Sequence, residues 1–329
     1  MNVRKFTVIC LILSLCAQLC ACASVPVSES EEPDGKITVC TTVFPAYDFA
    51  REIAGERAEV TLLVPPGAES HSYEPTPQDI LLLGRCSLLV ANGGESEAWL
   101  ESITDSLERA PDTVYMLNEV QALGEETVEG MQTGGILSRG DSHGHAHEEH
   151  EHETEYDEHV WTSPKNAVLI CDAIADRLCA LDPDGAELYR ANCREYTSKL
   201  TALDDSFREV AQSAARHTLI FADRFPVRYF TEEYGLDYYA AFPGCADDAE
   251  PSARTVAFLI DTVRAEKVPY VFYIEFSNEK MADIIAEETG CSKLLFHSCH
   301  NVTAAQLESG VSYLELMTQN LENVKEALS

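Results

Sequence analysis

Positive charge is scarce in this chain. Its 329 residues include 23 Lys and Arg against 56 Asp and Glu, which gives a formal net charge of −33 at pH 7. A protein that binds nucleic acid or an anionic lipid surface needs clustered basic residues to meet the negative charge of its partner. The charge balance therefore argues against both partners and favours a soluble body that attracts cations.

Several common metal and catalytic motifs are also missing. The H-E-x-x-H pattern of zinc proteases is absent. Ser142 lies in a G-x-S-x-G segment, but no apolar strand precedes it, as a nucleophile elbow requires. The cysteines beyond residue 22 form no C-x-x-C pair, so there is no thiolate zinc knuckle, and the sequence predicts no particular disulfide. These cysteines are Cys40, Cys86, Cys171, Cys179, Cys193, Cys245, Cys291 and Cys299.

Long apolar runs are missing except at the N-terminus. Arg4 and Lys5 precede an apolar stretch at residues 6–19, which is too short for a comfortable membrane span. We therefore predict an export signal at residues 1–21. The run Leu19-Cys20-Ala21-Cys22 is similar to a bacterial lipobox and predicts cleavage before Cys22 and a diacylglycerol on its thiol; an ordinary signal peptide cut nearby is the alternative. Residues 22–35 would then be an acidic, lipid-anchored tether.

Histidine, in contrast, is concentrated in one stretch. Residues 143–152 contain five histidines, and eight carboxylates lie between Asp141 and Glu158. Neutral imidazoles are good ligands for zinc, and the carboxylates concentrate cations. This composition cannot bury a core, so it predicts a solvated loop. We interpret residues 141–158 as a loop that collects metal, and His159, at its structured end, as part of a fixed site.

Strand and helix patterns alternate along the rest of the chain, which predicts an α/β fold with parallel sheets in two Rossmann-like lobes. Helical patterns include an amphipathic helix over 97–109 and a single terminal helix over 304–328. Apolar residues at helical spacing also predict one long helix over 185–215, which at 1.5 Å per residue runs roughly 45 Å. The predicted divisions are an N-terminal lobe at 36–184, the connecting helix at 185–215 and a C-terminal lobe at 216–329.

Three histidines follow predicted strands or an apolar turn. In parallel sheets, ligands bind beyond the carboxyl ends of the strands. His71 and His159 belong to the first lobe and His297 to the second, so a cation held between the lobes would draw them together and close them. Three imidazoles suit tetrahedral Zn²⁺, whereas manganese prefers more carboxylate ligands. The sequence therefore predicts a zinc site in a cleft between two lobes.

The chain resembles the metal-binding solute-binding lipoproteins of bacterial ABC importers, the group that handles zinc and manganese. The motifs that carry the resemblance are Pro65-Pro66-Gly67-Ala68, His71-x-Tyr73-Glu74-Pro75-Thr76-Pro77, Asp157-x-His159-Val160-Trp161-x-Ser163-Pro164, Tyr234-Gly235-Leu236, Ala249-Glu250-Pro251-Ser252, and 284–290 leading into 293–296. The resemblance implies a monomer on the outer face of the cytoplasmic membrane. It would capture a divalent metal and deliver it to a membrane permease with a cytoplasmic ATPase. A His-rich tract accompanies zinc more than manganese in this family.

The resemblance also implies four side-chain ligands. The first two match His71 and His159. The third position, a His or Glu in the family, falls on Arg224. Arginine cannot ligate a metal, because it stays charged and has no free lone pair. Asp223, one residue earlier, is the predicted substitute, and the Arg224 guanidinium is expected to point away from the site or to pair with a carboxylate such as Glu250 or Glu275.

The fourth family position, usually an Asp after the last strand, matches His297. The predicted metal ligands are therefore His71, His159, His297 and Asp223, with His300 or water as alternatives for the fourth place. Two other functions compete with a zinc receptor: a zinc hydrolase, for which Glu74 or Glu275 would be the general base, and a surface metal-storage or adhesion lipoprotein. A receptor of the same kind for manganese or another divalent metal is the nearest alternative.

Overall fold

Runs of β-branched and apolar residues form two parallel four-stranded sheets. The computed structural model describes residues 36–69, 73–131, 156–246 and 251–329. The first sheet has the order β2-β1-β3-β4, with β1 at Ile37–Thr41, β2 at Ala58–Leu62, β3 at Leu88–Ala91 and β4 at Asp112–Tyr115. The second has the order β6-β5-β7-β8, with β5 at Thr218–Phe225, β6 at Asp237–Pro243, β7 at Tyr270–Ile274 and β8 at Ser292–Phe296. The predicted fold class, with two parallel sheets, is confirmed.

Helices connect the strands and cover the sheets. They are α1 (Phe44–Ala54), α2 (Pro77–Leu83), α3 (Trp99–Thr104), α4 (Pro164–Leu181), α5 (Ala186–Ser213), α6 (Arg228–Tyr234), α7 (Ala253–Glu266), α8 (Lys280–Thr289), α9 (Ala304–Ser309) and α10 (Tyr313–Leu328). Within the described ranges, none of these helices combines the length and the apolar character that crossing a membrane requires. The predicted signal, tether, Cys22, His71 and the His-rich tract up to residue 155 lie outside the described residues.

The long helix α5 lies between the two sheets in sequence, as predicted. It has 28 residues, which is roughly 42 Å at 1.5 Å per residue. Its buried residues recur every three or four positions, so one face packs inward along its whole length. They are Tyr189, Cys193, Tyr196, Leu200, Leu203, Phe207 and Ala211.

One hydrophobic core runs through both lobes. It contains Phe49 and Val90 from the first lobe together with Phe221 and Phe296 from the second, and residues 37–329 form one compact unit. A wide hinge movement would break apolar contacts throughout this core. Any closure around a cation is therefore expected to involve the loops at the carboxyl ends of the strands and not the whole lobes.

The prediction of a single terminal helix at 304–328 is wrong, because the structure divides this region into α9 and α10. Gly310 takes a left-handed φ of 75° and ends α9. Ser312 then starts α10 with a capping box, in which its hydroxyl accepts the Glu315 N–H and the Glu315 carboxylate accepts the Ser312 N–H. The helix predicted at 97–109 is likewise shorter, with only α3 as regular α-helix.

Candidate metal site

A small cavity lies beyond the carboxyl ends of β2, β5, β7 and β8. Its volume is about 30 Å³, enough for one or two water-sized species and therefore for one ion. It is lined by Ala68, Glu69, His159, Arg224, Pro226, Gly244, Ile274, Glu275, Phe276, Ser298, His300 and Asn301. Both lobes contribute to the lining, as expected for a ligand site at this end of parallel sheets.

His159 is held at the cavity by the turn that precedes α4. Its ring is 1% exposed. The Asp157 carboxylate accepts the His159 backbone N–H at 2.9 Å and lies 3.2 Å from Nδ1 of the ring. A carboxylate at Nδ1 favours the tautomer with the proton there, which places the lone pair on Nε2, as in many metal-bound histidines. Gly244 packs against this ring, because a Cβ at residue 244 would lie 3.1 Å from it.

His300 reaches the same cavity from the second lobe. Its ring centroid lies 5.4 Å from that of His159, with the two rings perpendicular. In a tetrahedral zinc site with Zn–N near 2.0–2.1 Å, the centroids of two imidazole ligands are roughly 5 Å apart. The observed separation therefore suits two imidazoles that share one ion.

His297 does not line the cavity. Its side chain is buried, and its Nδ1 accepts the backbone N–H of Cys299 at 3.0 Å. Asn320 bonds both the N–H and the carbonyl of His297. Cys299 takes a left-handed φ of 63°, in the turn that leads to His300 three residues after His297. The assignment of His297 as a ligand stays a prediction, and the geometry favours His300 in its place.

Asp223 also lies outside the cavity lining. Its carboxylate accepts the Arg224 N–H at 2.9 Å and lies 3.5 Å from the N–H of Ile274. Burial raises the pKa of Asp223, and a hydrogen bond from Ser277 works in the opposite direction. These contacts direct the carboxylate toward the loop after β7, so they do not favour the predicted role of Asp223 as a ligand.

Arg224 lines the cavity, and its guanidinium pairs with a carboxylate, as expected. The partner is Glu69, at 3.3 Å, and not Glu275; Glu250 lies outside the described residues. Because Glu69 follows β2 and Arg224 is the penultimate residue of β5, this ion pair joins the two lobes across the cavity. No sequence pattern indicated this role for Glu69.

Glu275 adds a carboxylate to the cavity wall. Its side chain is 9% exposed and lies 3.7 Å from Nδ1 of His297. Its two oxygens accept the N–H and the hydroxyl of Ser298. A carboxylate offers about four lone-pair positions, so these two bonds leave capacity for a cation.

Asn301 fastens the loop that leads to His71. Its side chain is 5% exposed, and Nδ2 donates to the carbonyls of Pro65 at 2.9 Å and Ala68 at 2.8 Å. Glu69, next in this loop, lines the cavity two residues before His71. Asn301 directly follows His300 in the chain. It thus ties the loop that precedes His71 in the first lobe to the loop that carries His300 in the second.

No complete metal site is present among the residues that the structure describes, where no group of three or more His, Cys, Asp or Glu side chains has ligand geometry. The described residues supply two imidazoles, His159 and His300, and two carboxylates, Glu69 and Glu275. His71, which the sequence places in the adjoining loop, lies outside them.

Two α/β lobes that share one core, with a histidine-lined cavity at the carboxyl ends of their strands, define a binding protein for a single small ion. The family comparison gives the same result. The chain belongs to the family of the zinc-uptake complex component A, periplasmic, whose model matches residues 39–327.

Individual relatives agree with the family. The zinc-binding lipoprotein AdcA of Streptococcus pneumoniae is 30% identical over 312 residues, which are 95% of this chain and 60% of that protein. The high-affinity zinc uptake system protein ZnuA of Bacillus subtilis is 29% identical over 326 residues, 99% of this chain and 98% of that protein. The solved Zn(II)-bound ZnuA-like domain of S. pneumoniae AdcA matches with a TM-score of 0.71 and 26% identity, over 89% of this chain and 99% of that one.

The predicted family is confirmed, and its members are binding components of zinc uptake and not enzymes. The alternative of a zinc hydrolase is thereby set aside. The chain spans only 60% of the length of S. pneumoniae AdcA, so the activity of that whole protein does not carry over directly.

Proposed function

We propose that this chain captures one Zn²⁺ ion outside the cytoplasm and delivers it to the permease of an ABC importer, which a cytoplasmic ATPase drives. The observation that carries the proposal is the meeting of His159 and His300, one from each lobe, at a cavity sized for one ion and at a spacing that suits zinc. Relatives described as zinc-binding and as part of a zinc uptake system support the same cargo.

For the ligands, we propose His71, His159 and His300, with the Glu275 carboxylate or a water molecule in the fourth position. Three imidazoles favour zinc over manganese, because manganese prefers oxygen ligands. The set with His297 and Asp223 is the alternative, and both residues are tested by the same kind of substitution.

The membrane attachment and the His-rich tract complete the proposal. Lipidation of Cys22 would hold the protein at the outer face of the cytoplasmic membrane, and the relative AdcA is itself described as a lipoprotein. The tract at 141–158 would collect cations near the cavity through its histidines and carboxylates. In the competing storage function, this tract would be the main metal site.

Titration with zinc against a competing chelator tests the proposal. We expect one tight site that survives deletion of residues 141–155. Substitution of His159 or His300 by alanine should weaken it by a factor on the order of a hundred, because each removes a ligand worth several kcal/mol. His217, an exposed histidine just before β5, provides the control, and His217→Ala should bind zinc normally.

Three results would contradict parts of the proposal. Loss of most bound zinc on deletion of 141–155 would favour storage. Loss of the tight site in His297→Ala or Asp223→Asn, with His300→Ala unaffected, would replace the proposed ligands by the alternative set. Tighter binding of manganese than of zinc would change the cargo.

A further inference from the structure

The mouth of the cavity is marked by two exposed side chains. Of the described residues that line the cavity, only Glu69 and Phe276 are exposed. The side chain of Glu69 is 42% exposed, and Phe276 is 52% exposed. Glu69 belongs to the first lobe and Phe276 to the second, so the exposed part of the described lining has a carboxylate from one lobe and an aromatic ring from the other.

The backbone of Phe276 is strained. Its φ is +60°, in a turn that the Ser277 N–H closes onto the carbonyl of Ile274. Phe276 is the third residue of this turn, the position where a positive φ normally calls for glycine or asparagine. A bulky residue in the left-handed region is a genuine outlier, and such strain persists where function requires it.

Similar strain is concentrated around the cavity. Among the described residues, eight glycines take a positive φ, but only four other residues do. Three of these four, Phe276, Glu279 and Cys299, lie in the loops that follow β7 and β8. The fourth, Lys267, ends α7 and does not line the cavity. Most of the described residues with a positive φ are thus glycines, and the exceptions lie mainly in the loops beside the cavity.

We infer that Phe276 is the gate of the metal cavity: its ring covers the mouth, excludes water, and has to move when an ion enters or leaves. This inference rests on the proposed function. The adjacent Glu275 is fixed by the N–H and the hydroxyl of Ser298, so the turn is anchored on one side while Phe276 projects half-exposed on the other.

Substitutions that separate the ring from the backbone strain test the gate. Phe276→Gly removes the ring and relieves the strain, Phe276→Ala removes the ring alone, and Phe276→Tyr keeps a ring. Lys267→Gly is the matched control, because it relieves the same kind of strain away from the cavity. The measurements are stopped-flow rates of zinc binding and of zinc release to a chelator, and the Tm of each metal-free protein.

A gate predicts that both rates rise together and that Kd changes little. For Phe276→Gly and Phe276→Ala we expect both rates to increase on the order of tenfold, the factor that corresponds to 1.4 kcal/mol. Relief of strain should raise the Tm by about 2 °C in Phe276→Gly and Lys267→Gly but not in Phe276→Ala. Phe276→Tyr and Lys267→Gly should show wild-type rates.

Wild-type rates in Phe276→Gly and Phe276→Ala would overturn the gate, whatever their Tm. Faster release with unchanged binding, and therefore a weaker Kd, would also overturn it, because that result indicates a general weakening of the site. Failure of the proposed function would appear differently, as the absence of a tight zinc site in the wild-type protein.

Discussion

The side chain of Asn301 should control both the stability of the protein and its affinity for zinc. Asn301→Ala removes three hydrogen bonds: the two that Nδ2 donates to the carbonyls of Pro65 and Ala68, and a local one that Oδ1 accepts from the Val302 N–H. Each of the two bonds to the Pro65–Ala68 loop contributes about 0.5–1.5 kcal/mol net, so their loss alone should lower the free energy of unfolding by about 1–3 kcal/mol. For a body of this size, that corresponds to a decrease in Tm of roughly 3–8 °C.

The effect on zinc arises from the loop that Asn301 holds. Once released, residues 65–69 have to be ordered each time zinc binds. Ordering the backbone of one residue costs about 1–2 kcal/mol, so we expect the affinity to fall by a factor on the order of ten or more. Thermal unfolding of the metal-free protein and titration against a chelator measure the two effects separately.

Asn192 provides the matched control. Its Nδ2 donates to the carbonyl of Ile53 at 3.0 Å, between α5 and α1, and it does not line the cavity. Asn192→Ala should lower the Tm by less than Asn301→Ala and leave the affinity for zinc unchanged. The reasoning is refuted if Asn301→Ala destabilises the protein but binds zinc like the wild type, or if both variants weaken zinc binding equally.

Three further predictions concern the site, the thiols and a buried acid. Arg224→His should tighten zinc binding on the order of tenfold by adding a fourth imidazole, whereas Arg224→Gln should not; equal affinities would show that residue 224 does not reach the ion. All eight described cysteines are free, and six are buried. In a soluble form that begins at residue 36, a thiol reagent should therefore label Cys245 and Cys291 first and all eight cysteines after unfolding. Labelling of fewer than eight in the unfolded protein would reveal a disulfide. Burial raises the pKa of Asp48 from 3.8 to about 6. Between these two pH values the folded state therefore binds more protons than the unfolded state. The stability that Asp48 contributes falls as the pH rises from 3.8 to about 6. The difference in Tm between the wild type and Asp48→Asn should therefore decrease from pH 4 to 6, and an increase would contradict the assignment.

The fold could be predicted from the sequence because its signals are local and repeated. Strands such as β1 and β8 are short apolar runs, and the buried face of α5 follows helical spacing over 28 residues. The division of the terminal helix was missed although its signals are present in the sequence: Gly310 followed by Ser312 and Glu315 is a helix stop and a capping box. Apolar periodicity alone continues across this break.

The site could be predicted only in outline. His159 is buried at the cavity, but position in the chain could not distinguish His297 from His300. The difference depends on the left-handed φ of Cys299, for which the sequence carries no glycine as a signal. The contacts of Glu69 and Asn301 join residues more than 150 positions apart, and such pairs leave no trace in a local pattern.

The core shared by the two lobes has a consequence for protein engineering. Neither half can bury its apolar surface alone, so each half expressed separately should be insoluble or require the other for folding. Chimeras that exchange one lobe for that of a relative would have to carry over the matching side chains from β1 through α10. Within this architecture, metal preference is therefore more easily altered by grafting the short segments around the cavity than by recombining halves.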